Sequence, residues 1–297
     1  MSSDLSEPAG SRPRRLLRWV AIAIGSLVGL GLLACAAVYV LSERILGRTY
    51  DVPSVALTIP TDPDSVREGA RLATIRGCLD CHGSNGKGQV MFDDPKIARI
   101  VAPNLPDAMR RYSDAQVATI IRYGVRPDRR SVMVMPAEAF NGMTDADLGR
   151  IVAFLRSLPP VPGPGPNFSA GPIGRLGLAT GKFRTVAQLI ADTVPPPKAA
   201  NQEAETGRYL ARTICAACHG TSLHGDSNPD FTSPDLHIVA AYSPEAFARL
   251  LRTGVALGER NVGVMSQQAR DCLSQLTDAE IAALYSYLHA FPEAPRN

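Results

Sequence analysis

The chain has 297 residues, enough for two ordinary domains at roughly 100 to 200 residues apiece. Apolar residues at 45% and charged residues at 20% exclude a disordered chain, while 24 prolines and 25 glycines imply extended connections. A net charge of +3 is too small to argue for nucleic acid, which usually demands a strongly basic face, so no nucleic-acid partner is expected. Charge is net positive up to residue 200 and net negative from 201 onward. The two halves therefore present different faces, which would suit different protein partners or be no more than scattered solvated charge.

The first predicted element is a membrane helix. Trp19 to Leu41 is a run of 23 residues without formal charge, which at helical rise spans a hydrocarbon core of about 30 Å. Arg12, Arg14, Arg15 and Arg18 precede it. Positive charge on that flank assigns residues 1–18 to the cytoplasm and 19–41 to a transmembrane anchor. Everything after Leu41 is then outside the inner (cytoplasmic) membrane of a bacterium, in the periplasm. Two other readings stay open: a cleaved signal peptide, and a lipobox at Leu32-Leu33-Ala34-Cys35 that would lipidate Cys35. Lipidation would also tether the protein to a membrane.

Beyond the anchor the sequence repeats itself. Arg71-Leu72 stands seven and six residues ahead of Cys78, as Arg208-Tyr209 stands ahead of Cys215, and each leads into Cys-x-x-Cys-His-Gly. Tyr112-Ser113 running to Arg122-Tyr123-Gly124-Val125 is matched by Tyr242-Ser243 running to Arg252-Thr253-Gly254-Val255. Thr144-Asp145-Ala146-Asp147 through Phe154-Leu155 is matched by Thr277-Asp278-Ala279-Glu280 through Tyr287-Leu288. Each matched segment predicts a helix. Ser113 with Gln116 and Thr277 with Glu280 form capping boxes, Thr144 is an N-cap, and Pro244 follows Ser243 at the first helical position. Leu148, Ile151, Val152 and Leu155 recur at helical period, and no comparable run alternates with period two. The expected fold class is all-α, with one unit over 60–158 and a second over 201–293. Residues 159–200, with Pro159-Pro160, Gly163-Pro164-Gly165-Pro166 and Pro195-Pro196-Pro197, predict a proline-stiffened linker. A short amphipathic turn near Val186 to Ile190 would dock on one unit.

Cys78-Leu79-Asp80-Cys81-His82 and Cys215-Ala216-Ala217-Cys218-His219 fit the signature for c-type haem attachment. Two thiols three residues apart on a helical turn reach the two vinyl groups, and the next residue turns its imidazole to the iron. His82 and His219 are the expected proximal ligands. A disulfide redox motif would need βαβ patterning, which is absent, and a zinc site would not need His directly after both cysteine pairs. Met135, in Met135-Pro136 between the Gly124-Val125 helix end and the Thr144 helix, is the expected sixth ligand of the first iron. Met133 is its local rival, and Met143 lies too close to the last helix. Met265 occupies the corresponding loop of the second unit, with His224 and His237 as rivals there. Cys272 remains after the four haem thiols and is expected to be a lone buried thiol.

Both units resemble class I cytochrome c domains, and with the anchor they cover nearly the whole chain outside the linker. The first resembles membrane-tethered cytochromes through Ala102-Pro103-Asn104-Leu105, Met135-Pro136 and Thr144 to Leu148. The second resembles the last domain of cytochrome subunits serving proteobacterial membrane dehydrogenases, through Gly263-Val264-Met265-Ser266 and Leu276 to Ile281. It departs from them in number: the alcohol and gluconate dehydrogenase subunits have three such domains and this chain has two. The resemblance implies that a proline carbonyl orients each proximal imidazole. Pro103 fits that part in the first unit and Pro234, in Ser233-Pro234-Asp235-Leu236, in the second, unless either is a turn proline.

Two haems with His/Met-ligated iron have no open coordination position, which implies a relay of single electrons and no catalytic residue or small-molecule substrate. The expected partners are redox proteins: a membrane dehydrogenase or quinol-oxidising complex on one side, a terminal oxidase or soluble cytochrome on the other. Arg126, Arg129 and Arg130, just ahead of Met135, would receive an acidic partner or form a solvated loop. Two alternatives differ in class. A dihaem peroxidase or thiosulfate-oxidising protein needs one open or unusually ligated iron, and a fixed haem subunit of an oxidase shares the anchor and the paired motifs.

Overall fold

The computed structural model describes residues 12–165, 167–227 and 232–293; of the expected cytoplasmic segment 1–18, residues 1–11 lie outside these. Helix α1 (Arg12–Leu46) runs unbroken through the uncharged stretch, whose apolar side chains stand uncovered by protein. Length and composition suffice for a membrane crossing.

The first unit holds α2 (Pro63–Ile75), α3 (Cys78–His82), β1 (Gln89–Asp94), β2 (Ala98–Ala102), α4 (Leu105–Arg111), α5 (Asp114–Tyr123), α6 (Ala137–Phe140) and α7 (Asp145–Ser157). Local chemistry sets the helix starts. Ser113 and Gln116 close a capping box on α5, and Thr144 accepts from Asp147 N at 3.2 Å to start α7. Leu148, Ile151, Val152 and Leu155 of α7 are all buried, against α2.

Residues 159–200 hold three elements: β3 (Asn167–Ala170), α8 (Pro172–Ala179) and α9 (Val186–Ala191). They strap the first unit to α1. β3 adds antiparallel to β2 to complete a sheet in the order β1-β2-β3. α8 packs on α1, and α9 docks where Val186 N donates to Val132 O at 3.2 Å and Ala187 N to Ser131 Oγ at 2.9 Å. The predicted amphipathic turn is α9, and it lies on the first unit.

The second unit holds α10 (Gln202–Leu210), a π-helical turn at Ala211–Cys215, α11 (Ala216–His219), β4 (Asp226–Ser227), β5 (Thr232–Ser233), a 3-10 turn at Leu236–Ala241, α12 (Pro244–Thr253), β6 (Val255–Ala256), β7 (Arg260–Asn261), α13 (Val264–Asp271) and α14 (Asp278–His289). The expectation of an all-α fold is therefore corrected: the protein is mostly helical and carries short strands. Strand alternation is invisible in the sequence because β1 buries neither face; Val90, Met91 and Phe92 are all exposed.

In each unit the first helix crosses the last at a glycine. A Cβ at Gly69 would run into the carbonyl of Arg150, and one at Gly207 into that of Ala283, so only hydrogen permits either approach. These glycines also correct the repeat register. Gly69 precedes Cys78 by nine residues and Gly207 precedes Cys215 by eight, so Arg71 is the structural counterpart of Tyr209 rather than of Arg208. The first unit absorbs its extra residue by breaking the helix at Gly77, whose φ is 67°; the second runs on through the π turn.

Arg71 and Tyr209 both lie between the units. The Arg71 guanidinium meets Glu280 in a two-pronged pair at 2.8 and 2.9 Å and also reaches Gln275 O at 3.1 Å. Tyr209 donates to Asp147 Oδ2 at 2.6 Å, and Arg76, its side chain wholly buried, reaches Asp147, Tyr209 and Thr213 at 3.3–3.4 Å. One apolar core runs through both units.

Candidate functional site

Each Cys-x-x-Cys-His segment occupies a short helix, α3 in the first unit and the π turn leading into α11 in the second. Three-residue spacing on a helical turn puts the two thiols of each pair on one side, and all four are free. Burial pushes Cys78 up to about 11 and Cys215 up to about 12, so these thiols stay protonated and inert as ions.

His82 Nδ1 lies 2.8 Å from the Pro103 carbonyl oxygen, and His219 Nδ1 lies 2.8 Å from that of Pro234. A carbonyl only accepts, so Nδ1 carries the proton in both rings and Nε2 is the nitrogen left with a lone pair to coordinate. Burial holds both histidines below their ordinary value against the opposing pull of the carbonyls, which keeps the imidazoles neutral. The two prolines have matching surroundings. Pro103 follows β2 and precedes Asn104, the N-cap of α4; Pro234 follows β5 and precedes Asp235, the N-cap of the 3-10 turn.

Two glycines that sequence reasoning passed over fix this geometry. Gly88 and Gly225 each stand six residues after the histidine, a repeat spacing that was available to be read. Their φ values are 81° and 89°, and their amides donate to His82 O at 2.8 Å and His219 O at 3.0 Å. A Cβ at Gly88 would sit 2.9 Å from the Pro103 carbonyl carbon, and one at Gly225 3.0 Å from that of Pro234. Each glycine thus presses the proline backbone into place against the histidine.

Met135 lies in the turn ahead of α6, partly buried and packed against the core. Met133 is half-buried and lies outside that core, and Met143 is buried within it. Met265, expected in a loop, instead lies in the first turn of α13, also partly buried against the core. Ser266 fastens that turn: its Oγ accepts from Val262 N at 2.8 Å and donates to Gly254 O at 2.5 Å. The rival histidines of the second unit converge on Asp235, His224 at 2.9 Å and His237 at 3.3 Å, with the His224 ring against Phe291. Cys272 is buried with its Sγ 3.3 Å from Asp80 Oδ2; burial first and Asp80 second push it up to about 12. Of the arginine cluster, Arg126 pairs with Asp128 and Arg129 with Asp51, so local acids already engage two of the three.

The two sites adjoin. α6, directly behind Met135, packs on α11, which bears Cys218 and His219. Burial first, then Asp80 and Cys218, raise the Cys81 thiol above its ordinary value. Among the described residues no cluster of three or more His, Cys, Asp or Glu could hold a metal ion by itself. Paired free thiols, an imidazole with Nε2 available and a thioether against the core are, by contrast, the donor set of a covalently attached haem.

The cytochrome c family model matches residues 66–159, and that of the cbb3-type cytochrome c oxidase subunit III matches residues 202–288. The chain carries two cytochrome c domains. Such domains imply haem c, and the residues just described fit it. The chain is 23% identical over 268 residues to the fructose dehydrogenase cytochrome subunit of Gluconobacter japonicus, covering 78% of this chain and 55% of that protein. It is 25% identical over 279 residues to the cytochrome c subunit of alcohol dehydrogenase (quinone) from Gluconacetobacter polyoxogenes, and equally to that of Komagataeibacter europaeus, covering 82% of this chain and 59% of each. The chain thus spans a little over half the length of these relatives.

Proposed function

We propose that the chain is a membrane-tethered electron carrier holding two c-type haems, one per cytochrome domain. It relays single electrons between a membrane dehydrogenase or quinol-oxidising complex and a terminal oxidase or soluble cytochrome. The observation that carries this reading is the duplicated imidazole geometry, with Nδ1 held at 2.8 Å by a proline carbonyl in both units. In this reading Cys78 and Cys81 anchor the first haem and Cys215 and Cys218 the second. His82 with Met135 and His219 with Met265 hold the irons, while Pro103 and Pro234 orient the imidazoles.

When bound, haem iron supplies one-electron chemistry. The chain's residues keep each imidazole neutral and in one orientation, and Met135 and Met265 would each offer a thioether sulfur to the iron when haem is bound. No side chain is assigned a catalytic role. The relatives named as dehydrogenase subunits favour a dehydrogenase as the partner on one side. The basic flank of α1 supports a single crossing with the cytochrome domains on the periplasmic side. We divide the chain into the anchor at 19–41, domains at 60–158 and 201–293, and the strap between them.

Mass analysis of mature protein should show two covalently attached haems, and the oxidised protein should show a methionine-to-iron charge-transfer band from both. Fewer than two haems, or ready carbon monoxide binding by the reduced protein, would overturn the reading.

A further inference from the structure

The strap helix α8 packs against the C-terminal end of α1, and Arg175 makes polar and ring contacts between them. Its Nη1 donates to Ser42 Oγ at 2.9 Å and pairs with Glu43 Oε1 at 2.7 Å, while its guanidinium carbon lies 4.3 Å from the centre of the Tyr39 ring. The uncharged run of α1 ends at Leu41, so these contacts fix α8 at the depth where the apolar span gives way to polar residues. Tyrosine and arginine are the residues that mark the headgroup level of a bilayer.

The outward side of α8 does not suit water. Ile173 and Leu176, one turn apart, are 51% and 50% exposed, and Phe183 just beyond the helix is 41% exposed. Phe183 is held there by Gly177, where a Cβ would strike its ring. Lys182, beside it, is exposed. A short helix with an apolar outer face and a lysine at its edge, joined to the end of a membrane-length helix, matches an element that lies in the interfacial plane.

We propose that α8 and the turn after it are seated in the outer leaflet of the bilayer that α1 crosses. Ile173, Leu176 and Phe183 enter the lipid and Lys182 meets the phosphates. This rests on the reading of α1 as a membrane span. The first cytochrome domain is thereby fixed in its attitude to the membrane, because β3 and α9, on either side of α8, are bound to that domain.

The test uses the full haem-loaded chain in nanodiscs of phosphatidylcholine and phosphatidylglycerol with a diazirine on the acyl chain. After photolysis, mass spectrometry locates labelled residues, with exposed Val264 of the second domain as the reference. Label on α1 together with Ile173, Leu176 and Phe183, lost from the 171–184 peptide in Leu176→Glu while that on α1 persists, is the expected result. Label on α1 with none above the Val264 level in 171–184 overturns the proposal and leaves the span standing. Absence of label from α1 overturns both.

Discussion

At the scale of single residues, the strongest constraint is the proton on Nδ1. Because a carbonyl fixes that tautomer in both units, the coordinating nitrogen is decided before any metal is considered. For the methionines, packing supports the proposed choice. Met135 touches the core and Met133 does not, so Met135→Ala should open the first iron to carbon monoxide while Met133→Ala leaves the reduced spectrum unchanged. A carbon monoxide difference spectrum of each variant checks this. Glu280 carries a pH signature. Burial pushes its carboxyl up, but Arg71 and the bonds from Thr277 outweigh that and hold it below its ordinary value; Glu68 shares the same guanidinium. A depressed native pKa gives stability that is present above the unfolded value and lost as pH falls through the native one. Melting followed by circular dichroism from about pH 6 to 3 should therefore decline more steeply for the wild type than for Glu280→Gln, the region where free glutamate titrates.

At the scale of elements, glycines decide the geometry. Gly225→Ala puts a side chain on a left-handed residue and against the Pro234 backbone, so it should shift the second midpoint potential and leave the first in place. Redox titration of the two centres reads this directly. Gly207→Ala should cost about 1–3 kcal/mol or more in urea unfolding, as overpacking does, because the obstruction is the backbone of Ala283. The cysteine motifs, the caps at Ser113, Thr144, Ser243 and Thr277, and the buried face of α7 were legible because each is local in sequence. The helix before the second motif was legible as a helix, but its one-residue offset was hidden, since a π turn has no side-chain signature. The β-strands were hidden because pairing with a distant segment such as Asn167–Ala170 leaves no periodicity in either partner.

At the scale of the molecule, the two domains behave as one body. The Arg71–Glu280 pair, the Arg76–Asp147–Tyr209 network and the shared core join them over a surface that includes both haem motifs. Scanning calorimetry of the haem-loaded chain should show a single transition. The double variant Arg71→Ala/Tyr209→Phe should split it in two, since breaking charge-assisted bonds removes about 1.5–3 kcal/mol each. This interface was not legible in the sequence: Arg71 and Tyr209 read as part of the internal repeat, whereas their role depends on how the copies are apposed.

The third strand has a consequence for synthesis. Since β3 comes from beyond the last helix of the first domain, that domain cannot close its sheet until about a dozen more residues have been made. A fragment cut after Leu158 would leave the β2 flank bare and prone to self-association, whereas one ending past α9 would carry its own seal.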